Sequence, residues 1–420
     1  MSVKQELFNF ISDSPTAYHA VDTIKKELVA NGYAELCEAD EWALADGGKY
    51  FVVRNGSSII AFKYKSGAAS FNIAASHSDS PSFRLKMTPE TCGAYNRLEV
   101  EKYGGMIFYS WLDRPLSLAG RVVVKDGSQL KSVLVNIDRP IAVIPSVAIH
   151  LNRGVNDGYK FNPATDMLPL VGTSETRGLT LDAIAREAGV SPESIVSHDL
   201  FLYNREKGIS FGISDEFILS PRLDDLECVF ASVKGFLAAS DGESVPVLAV
   251  FDNEEVGSET KQGAASTFMQ DTLRRIAKDE TKYARMLAQS FMVSADNAHA
   301  KHPNHPELSD PDNAPMLNGG VVVKWNANQR YATDGVSAAI FDSICGECGV
   351  KVQNYYNRAD MLGGSTLGSI SNTKVAISTV DIGLPQLGMH SASEVAGVND
   401  VADLVKVFEK LFSKDVLKTV

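Results

Sequence analysis

The chain has 420 residues, 44% of them hydrophobic, enough to bury a large core and long for a single small domain. Its formal net charge of −12 excludes the usual phosphate-tracking surface, because nucleic-acid binders concentrate Lys and Arg on one face. No segment approaches the ~20 apolar residues of a membrane span, and the opening MSVKQELFNF has no signal-peptide core, so a soluble cytoplasmic protein without membrane partners is expected.

Helical spacing at Leu7, Phe10 and Ile11, then at Val21, Ile24 and Leu28, predicts two opening helices, with Gly32 where a C-terminal cap falls. From Lys49 the pattern changes to β-rich runs, YFVVR, SSIIAFKY and FNIAAS, and the last is apolar enough for a strand buried inside a sheet. His77 and Asp79 follow it directly. Between about Cys92 and Glu216, hairpin-like runs (EVEKYGG, MIFYSWL, GRVVVKDG, KSVLVNI) are separated by Gly, Asp and Pro turns, which predicts an inserted β-rich domain.

A helical pattern then starts near Asp224, the buried run VPVLAVF ends at Asp252, and SFMVSA ends at Asp296. Alternation of this kind predicts an α/β fold, a mixed central sheet flanked by helices, formed by residues 1–92 and 217–420 with 93–216 inserted. The five cysteines (Cys37, Cys92, Cys228, Cys345, Cys348) are odd in number and scattered, which fits a reducing compartment rather than a disulfide framework. Cys345 and Cys348 form a C-x-x-C pair on a helical pattern ending at Gly349, with no second pair or His to complete a zinc site, and read as buried or half-buried thiols.

Ligands of open α/β sheets gather beyond the carboxyl ends of the strands, and three buried-strand patterns here end in groups able to bind metal: AASHSDSP, VFDNEEVGS and SADNAHAKHPN. Each has a plainer reading when taken alone. His77 with Asp79 fits a ligand whose other ring N–H is held by a carboxylate, or an ordinary turn. Glu254 and Glu255 are a ligand beside a general base, or a solvated acidic loop. Asp224 is a carboxylate bridging two ions, or a helix cap. His390, in LPQLGMHSASEV, is a ligand or a capping group.

Together the motifs AASHSDSPSFRLK, SPRLDDLECVFA, FDNEEVGS, SADNAHAKHPN and QLGMHSASEV resemble the aspartyl aminopeptidase family of dinuclear zinc metallo-aminopeptidases. SPTAYHA, SVAIHLNRGVN and VVVKWNANQRYAT extend the resemblance along nearly the whole chain, in the family order. It implies one ion on His77, Asp224 and Asp296 and another on Asp224, Glu255 and His390. Zinc suits these nitrogen and oxygen donors, as do cobalt and manganese.

The same resemblance implies Glu254 as general base, Asp79 as the group orienting His77, and His150 as a contribution from the inserted domain to a neighbouring subunit's site. That domain then serves dimerisation or a lid, within dimers that build a dodecamer. The implied substrates are peptides with acidic N-terminal residues, met by Lys324, with His299 lining the pocket. Lys324 could equally be a strand-end surface lysine. Asp225, where the family commonly has asparagine, and GGSTLGS near Gly363 depart from the pattern. The competing functions are a related two-metal amidohydrolase, such as a deacylase or carboxypeptidase, and a scaffold that has lost its chemistry.

Overall fold

The run Val245–Phe251 shows how the core is divided. Its side chains alternate between two apolar layers, Leu248 and Val250 entering one and Val245, Val247, Ala249 and Phe251 the other, as the two-residue period of a strand requires. Every residue of it is buried, as is every residue of Phe71–His77 beside it. A strand that is apolar on both faces belongs in the middle of a sheet covered by helices. In the computed structural model, which describes residues 2–414, these two strands run parallel near the centre of a nine-stranded mixed sheet.

The chain divides into two compact units. The first comprises the residues up to Asp79, Gly208–Met389 and those from Glu394 onward. Its nine strands lie in the order Ala34–Leu36, Lys49–Arg54, Ser58–Lys63, Val245–Phe251, Phe71–His77, Phe291–Ala295, Ser378–Gly383, Val321–Trp325 and Val352–Tyr356. On one face pack the helices Val3–Asp13, Ala17–Ala30, Leu223–Ala238, Gly335–Cys348 and Asp400–Ser413, through Leu7, Ile24, Val229, Phe341 and Phe408. The helix Phe268–Ala277 covers the other through Phe268, Leu273 and Ile276. A small sheet adds Ile209–Phe211, Phe217–Ser220, Glu394–Gly397, Pro385–Leu387 and Ala298–His299.

The second unit is Ser80–Lys207 with His390–Ser393. Its six-stranded antiparallel sheet surrounds a separate core of Phe83, Leu98, Leu118 and Leu200, to which the helix Leu179–Ala188 adds Ile184. The unit thus starts at Ser80, thirteen residues before the expected 93, and its main segment ends at Lys207, nine before the expected 216. Strand Ser82–Cys92 pairs with Tyr95–Tyr103 and with Ile195–Asn204, which ties it to the second unit, whereas Ile209–Phe211 pairs with Phe217–Ser220 in the first. The run MIFYSWL, expected as a strand, instead contains a 3-10 turn at Phe108–Trp111, with Trp111 buried edge-on against Phe83. Met106 and Trp111 enter the core and Phe108 and Leu112 pack against it, while Tyr109 is exposed.

The opening helices carry a pH-sensitive group. His19 sits in Ala17–Ala30, 2.9 Å from the Thr16 hydroxyl, and burial, opposed by Asp22 and reinforced by Lys26 and Arg222, pulls its pKa down to about 4. On acidification the unfolded chain takes up this proton near pH ~6.5, before the folded chain does, so protonation favours unfolding. The contribution is complete above that pH and declines toward pH 4, by about 3 kcal/mol in total. In urea titrations of the metal-free protein, His19→Gln should lose less stability than the parent between pH 7 and pH 4.5. Parallel pH profiles would count against this origin.

Candidate metal centre

Sheet register brings the acidic groups together. Phe251 is paired with His77 and Ser294 with Ala75, so one to four further residues place Ser78–Asp79, Asp252–Glu255 and Asp296 at the same end of three parallel strands. Beyond Phe251 the chain turns through Asn253, in left-handed backbone, into a 3-10 turn at Glu254–Val256. Asp79 fastens that turn, its Oδ1 accepting the Glu254 N–H at 3.1 Å and its Oδ2 the Glu255 N–H at 3.2 Å.

Asp224 comes from the start of the helix Leu223–Ala238. It does not sit there as a regular helical residue: Asp224 and Asp225 both have non-helical backbone and are joined by a cis peptide bond. The Asp224 N–H donates to Glu394 Oε2 at 3.0 Å, and Asp225 Oδ2 accepts the His77 N–H at 3.1 Å.

His77 is the hub of the cluster and is 1% exposed. Its Nδ1 lies 3.1 Å from the Asp79 backbone carbonyl, which sets a proton on that nitrogen and turns Nε2 inward. Nε2 stands 3.4 Å from Asp224 Oδ1 and 3.6 Å from Asp296 Oδ1. Both distances exceed the ~2.7–3.2 Å of a good N–H···O bond. They match the spacing of roughly 3.4 Å between ligand atoms held about 2.1 Å from one tetrahedral ion. Ligand atoms of His77, Asp224, Asp225 and Asp296 all lie within 4.8 Å of one another, and oxygens of Asp224 and Glu255 lie within the same distance.

The electrostatics agree with that geometry. Burial opposes a charge on His77, but Asp224, Asp225, Asp296 and Asp79 outweigh it and push its pKa well above the ordinary value. Burial and then Asp224 hold Glu255 well above the usual carboxylate range. Burial, with Asp296, Asp79 and Asp224 against the pull of His77, raises Glu254 to about 8. So many buried carboxylates around one imidazole require cationic compensation. The donor set, imidazole nitrogen and carboxylate oxygen without thiolate, fits a divalent metal such as zinc.

Lys324 is buried rather than a surface lysine. It is 3% exposed, its Nζ lies 3.4 Å from Asp296 Oδ2, and its ammonium is 5.5 Å from the Tyr331 ring centroid. His299 is exposed at the end of the strand following Asp296, its ring edge-on to Tyr355 at 5.9 Å. His390 and His150 belong to the second unit. The His390 ring Nδ1 is 3.0 Å from the Gly105 carbonyl, and its own carbonyl accepts the Ile107 N–H. His150 is exposed in an irregular stretch between Ile144 and Phe161. The C-x-x-C cysteines are a buried Cys345 and a half-buried Cys348, both free thiols.

Two residues that sequence reasoning left aside belong to this region. Asp225, noted only as a departure from a motif, is buried beside His77. Glu394, whose strand pairs with Phe217–Ser220, holds the Asp224 backbone. Nothing in the spacing of QLGMHSASEV distinguishes that glutamate from a solvent-facing one.

The description aminopeptidase I zinc metalloprotease (M18) belongs to the family model that matches residues 10–412. The chain is similar to a probable M18 family aminopeptidase 2 of Clostridium acetobutylicum, 46% identical over 424 aligned positions that cover 97% of this chain and 98% of that protein. Among solved structures it resembles a chain in the cryo-EM structure of the Ape4 and Nbr1 complex, with a TM-score of 0.94 and 35% identity over 98% of this chain and 85% of that one. It also resembles the S. cerevisiae mApe1 dodecamer, with a TM-score of 0.85 and 29% identity over 98% and 96% of the two chains. Among the described residues no helix is long and apolar enough to cross a membrane.

Proposed function

The chain belongs to the aminopeptidase I zinc metalloprotease family (M18), and on that premise we propose that it releases N-terminal residues, with Asp and Glu preferred, using two metal ions and Glu254 as general base. It is a zinc metallo-aminopeptidase, a hydrolase acting on peptides. The observation that carries the metal assignment is the placing of His77 Nε2 at 3.4 Å from Asp224 Oδ1 and 3.6 Å from Asp296 Oδ1.

His77, Asp224 and Asp296 hold one ion in this reading, and Asp224, Glu255 and His390 the other, with Asp224 shared. Its supports are the nearness of Asp224 and Glu255 oxygens and the engagement of His390 Nδ1 by Gly105, which leaves Nε2 as the ligating nitrogen. Two divalent ions held there would supply Lewis acidity and would acidify the attacking water. Glu254 takes the proton of the attacking water on its carboxylate and returns it to the leaving amine. Asp79 keeps Glu254 in place through the backbone and orients His77 through its own carbonyl.

Specificity rests on the resemblance. The charge of Lys324 attracts an acidic P1 side chain, and His299 lines the same pocket. The likeness to the mApe1 dodecamer supports a homo-oligomer; by the family resemblance it is built from dimers, the β-rich unit forms the dimer contact or lid, and His150 reaches a neighbouring subunit's site. Free, scattered cysteines support a cytoplasmic location.

A panel of aminoacyl chromogenic substrates, assayed with and without chelator, tests the reading. Hydrolysis of Asp and Glu substrates should exceed that of Leu and Ala, stop on chelation and return with zinc. Failure on every substrate after metal loading rejects the enzyme assignment, and equal rates on all four reject the acidic preference alone.

A further inference from the structure

Asp296 divides its two oxygens between different partners. Oδ1 faces His77 Nε2 at 3.6 Å, and Oδ2 lies 3.4 Å from Lys324 Nζ. The two side chains come from strands on either side of Ser378–Gly383: Phe291–Ala295 delivers Asp296 at its end, and Val321–Trp325 carries Lys324. By strand alternation Lys324 shares a face with Val322, which packs with Ala298, Tyr331 and Tyr355. An ammonium in such surroundings is costly unless a carboxylate compensates it.

We propose that Lys324 is a positioning residue for Asp296: it engages Oδ2, so that Oδ1 alone is presented beside His77 and Asp224 as a single-oxygen ligand. The inference rests on the reading that these three residues hold a metal ion. A carboxylate free to rotate can offer either oxygen or both, whereas small four-coordinate ions select one. An ammonium on the outer oxygen removes that freedom and offsets part of the charge that Asp296 adds to an already anionic cluster. Three N–H donors on Nζ leave capacity for a substrate carboxylate, so positioning and P1 recognition are separable functions of one side chain.

Lys324→Met keeps length and apolar bulk without charge, and Lys324→Arg keeps the charge. Zinc affinity is read by competition with a chromophoric chelator, with circular dichroism as the control for folding. Lys324→Met should weaken one metal equivalent about 10–100-fold, the loss typical when a group that holds a metal ligand from outside is removed, and leave the other equivalent unchanged. Lys324→Arg should recover most of that affinity. The visible spectrum of the cobalt-substituted protein should change in Lys324→Met and stay near the parent in Lys324→Arg.

Parent affinity for both equivalents in folded Lys324→Met overturns the proposal. If that variant misfolds, Lys324→Gln supplies the same neutral comparison. The ratio of Asp to Leu hydrolysis at saturating metal reads P1 recognition separately: a collapsed ratio with intact affinity keeps the acidic preference and rejects positioning. A parent protein that binds no metal sinks the underlying assignment and this one with it.

Discussion

Glu254→Gln lowers kcat by about 10²–10⁴-fold while the metal content of the protein stays at the parent level. The substitution is nearly isosteric, and the Glu254 N–H that donates to Asp79 at 3.1 Å is a backbone group, so the 3-10 turn survives. What disappears is the proton acceptor. Burial and the neighbouring carboxylates hold Glu254 at about 8 in the metal-free protein, and the positive charge of bound ions would lower it toward the carboxylate form a base needs. KM should change by no more than a few-fold, because the amide still fills the same space. Steady-state kinetics with metal analysis on the same sample checks the two halves together. Normal turnover rejects Glu254 as the base. Loss of metal instead shows that Glu254 and Glu255 exchange their assigned functions.

Asp224→Asn is the other large effect, expected on binding before chemistry. An amide has a single carbonyl oxygen and no charge, so it cannot serve His77 and Asp296 on one side and Glu255 on the other. Both metal equivalents should weaken, each by more than the ~10–100-fold that removal of a ligand's hydrogen-bond partner costs, and activity should fall with them. The neighbouring position provides the control. Asp225→Asn retains an oxygen able to accept the His77 N–H, now accepted at 3.1 Å, so it should keep most of its metal. Elemental analysis after dialysis against a weak chelator separates the outcomes. Full occupancy in Asp224→Asn removes it as the shared ligand, and loss in Asp225→Asn alone transfers that function to Asp225.

The competing function classes part company on different grounds. A deacylase or carboxypeptidase needs only the same ligand chemistry, so the metal cluster by itself does not distinguish it from an aminopeptidase. The family match across residues 10–412 does.

Local pattern determined a good deal by itself. The wholly apolar run VPVLAVF, the helical spacing of Leu7, Phe10 and Ile11, and the largely apolar run before His77 each report one segment's own burial, and each became the element expected of it. Carboxylates and histidine placed just past buried strands were legible for the same reason. MIFYSWL, expected as a strand, instead buries Met106 and Trp111 around a 3-10 turn. Tertiary structure decided everything that depends on register between distant segments. The His77 N–H meets Asp225 across 148 residues of chain, and the Asp224 N–H meets Glu394 across 170. Lys324 reads locally as one more lysine near a strand end. Only the order of three strands, with Ser378–Gly383 between Phe291–Ala295 and Val321–Trp325, sets it against the outer oxygen of Asp296. A sequence period records which face of an element is buried, whereas the partner on that face follows from pairing geometry, which no single segment encodes.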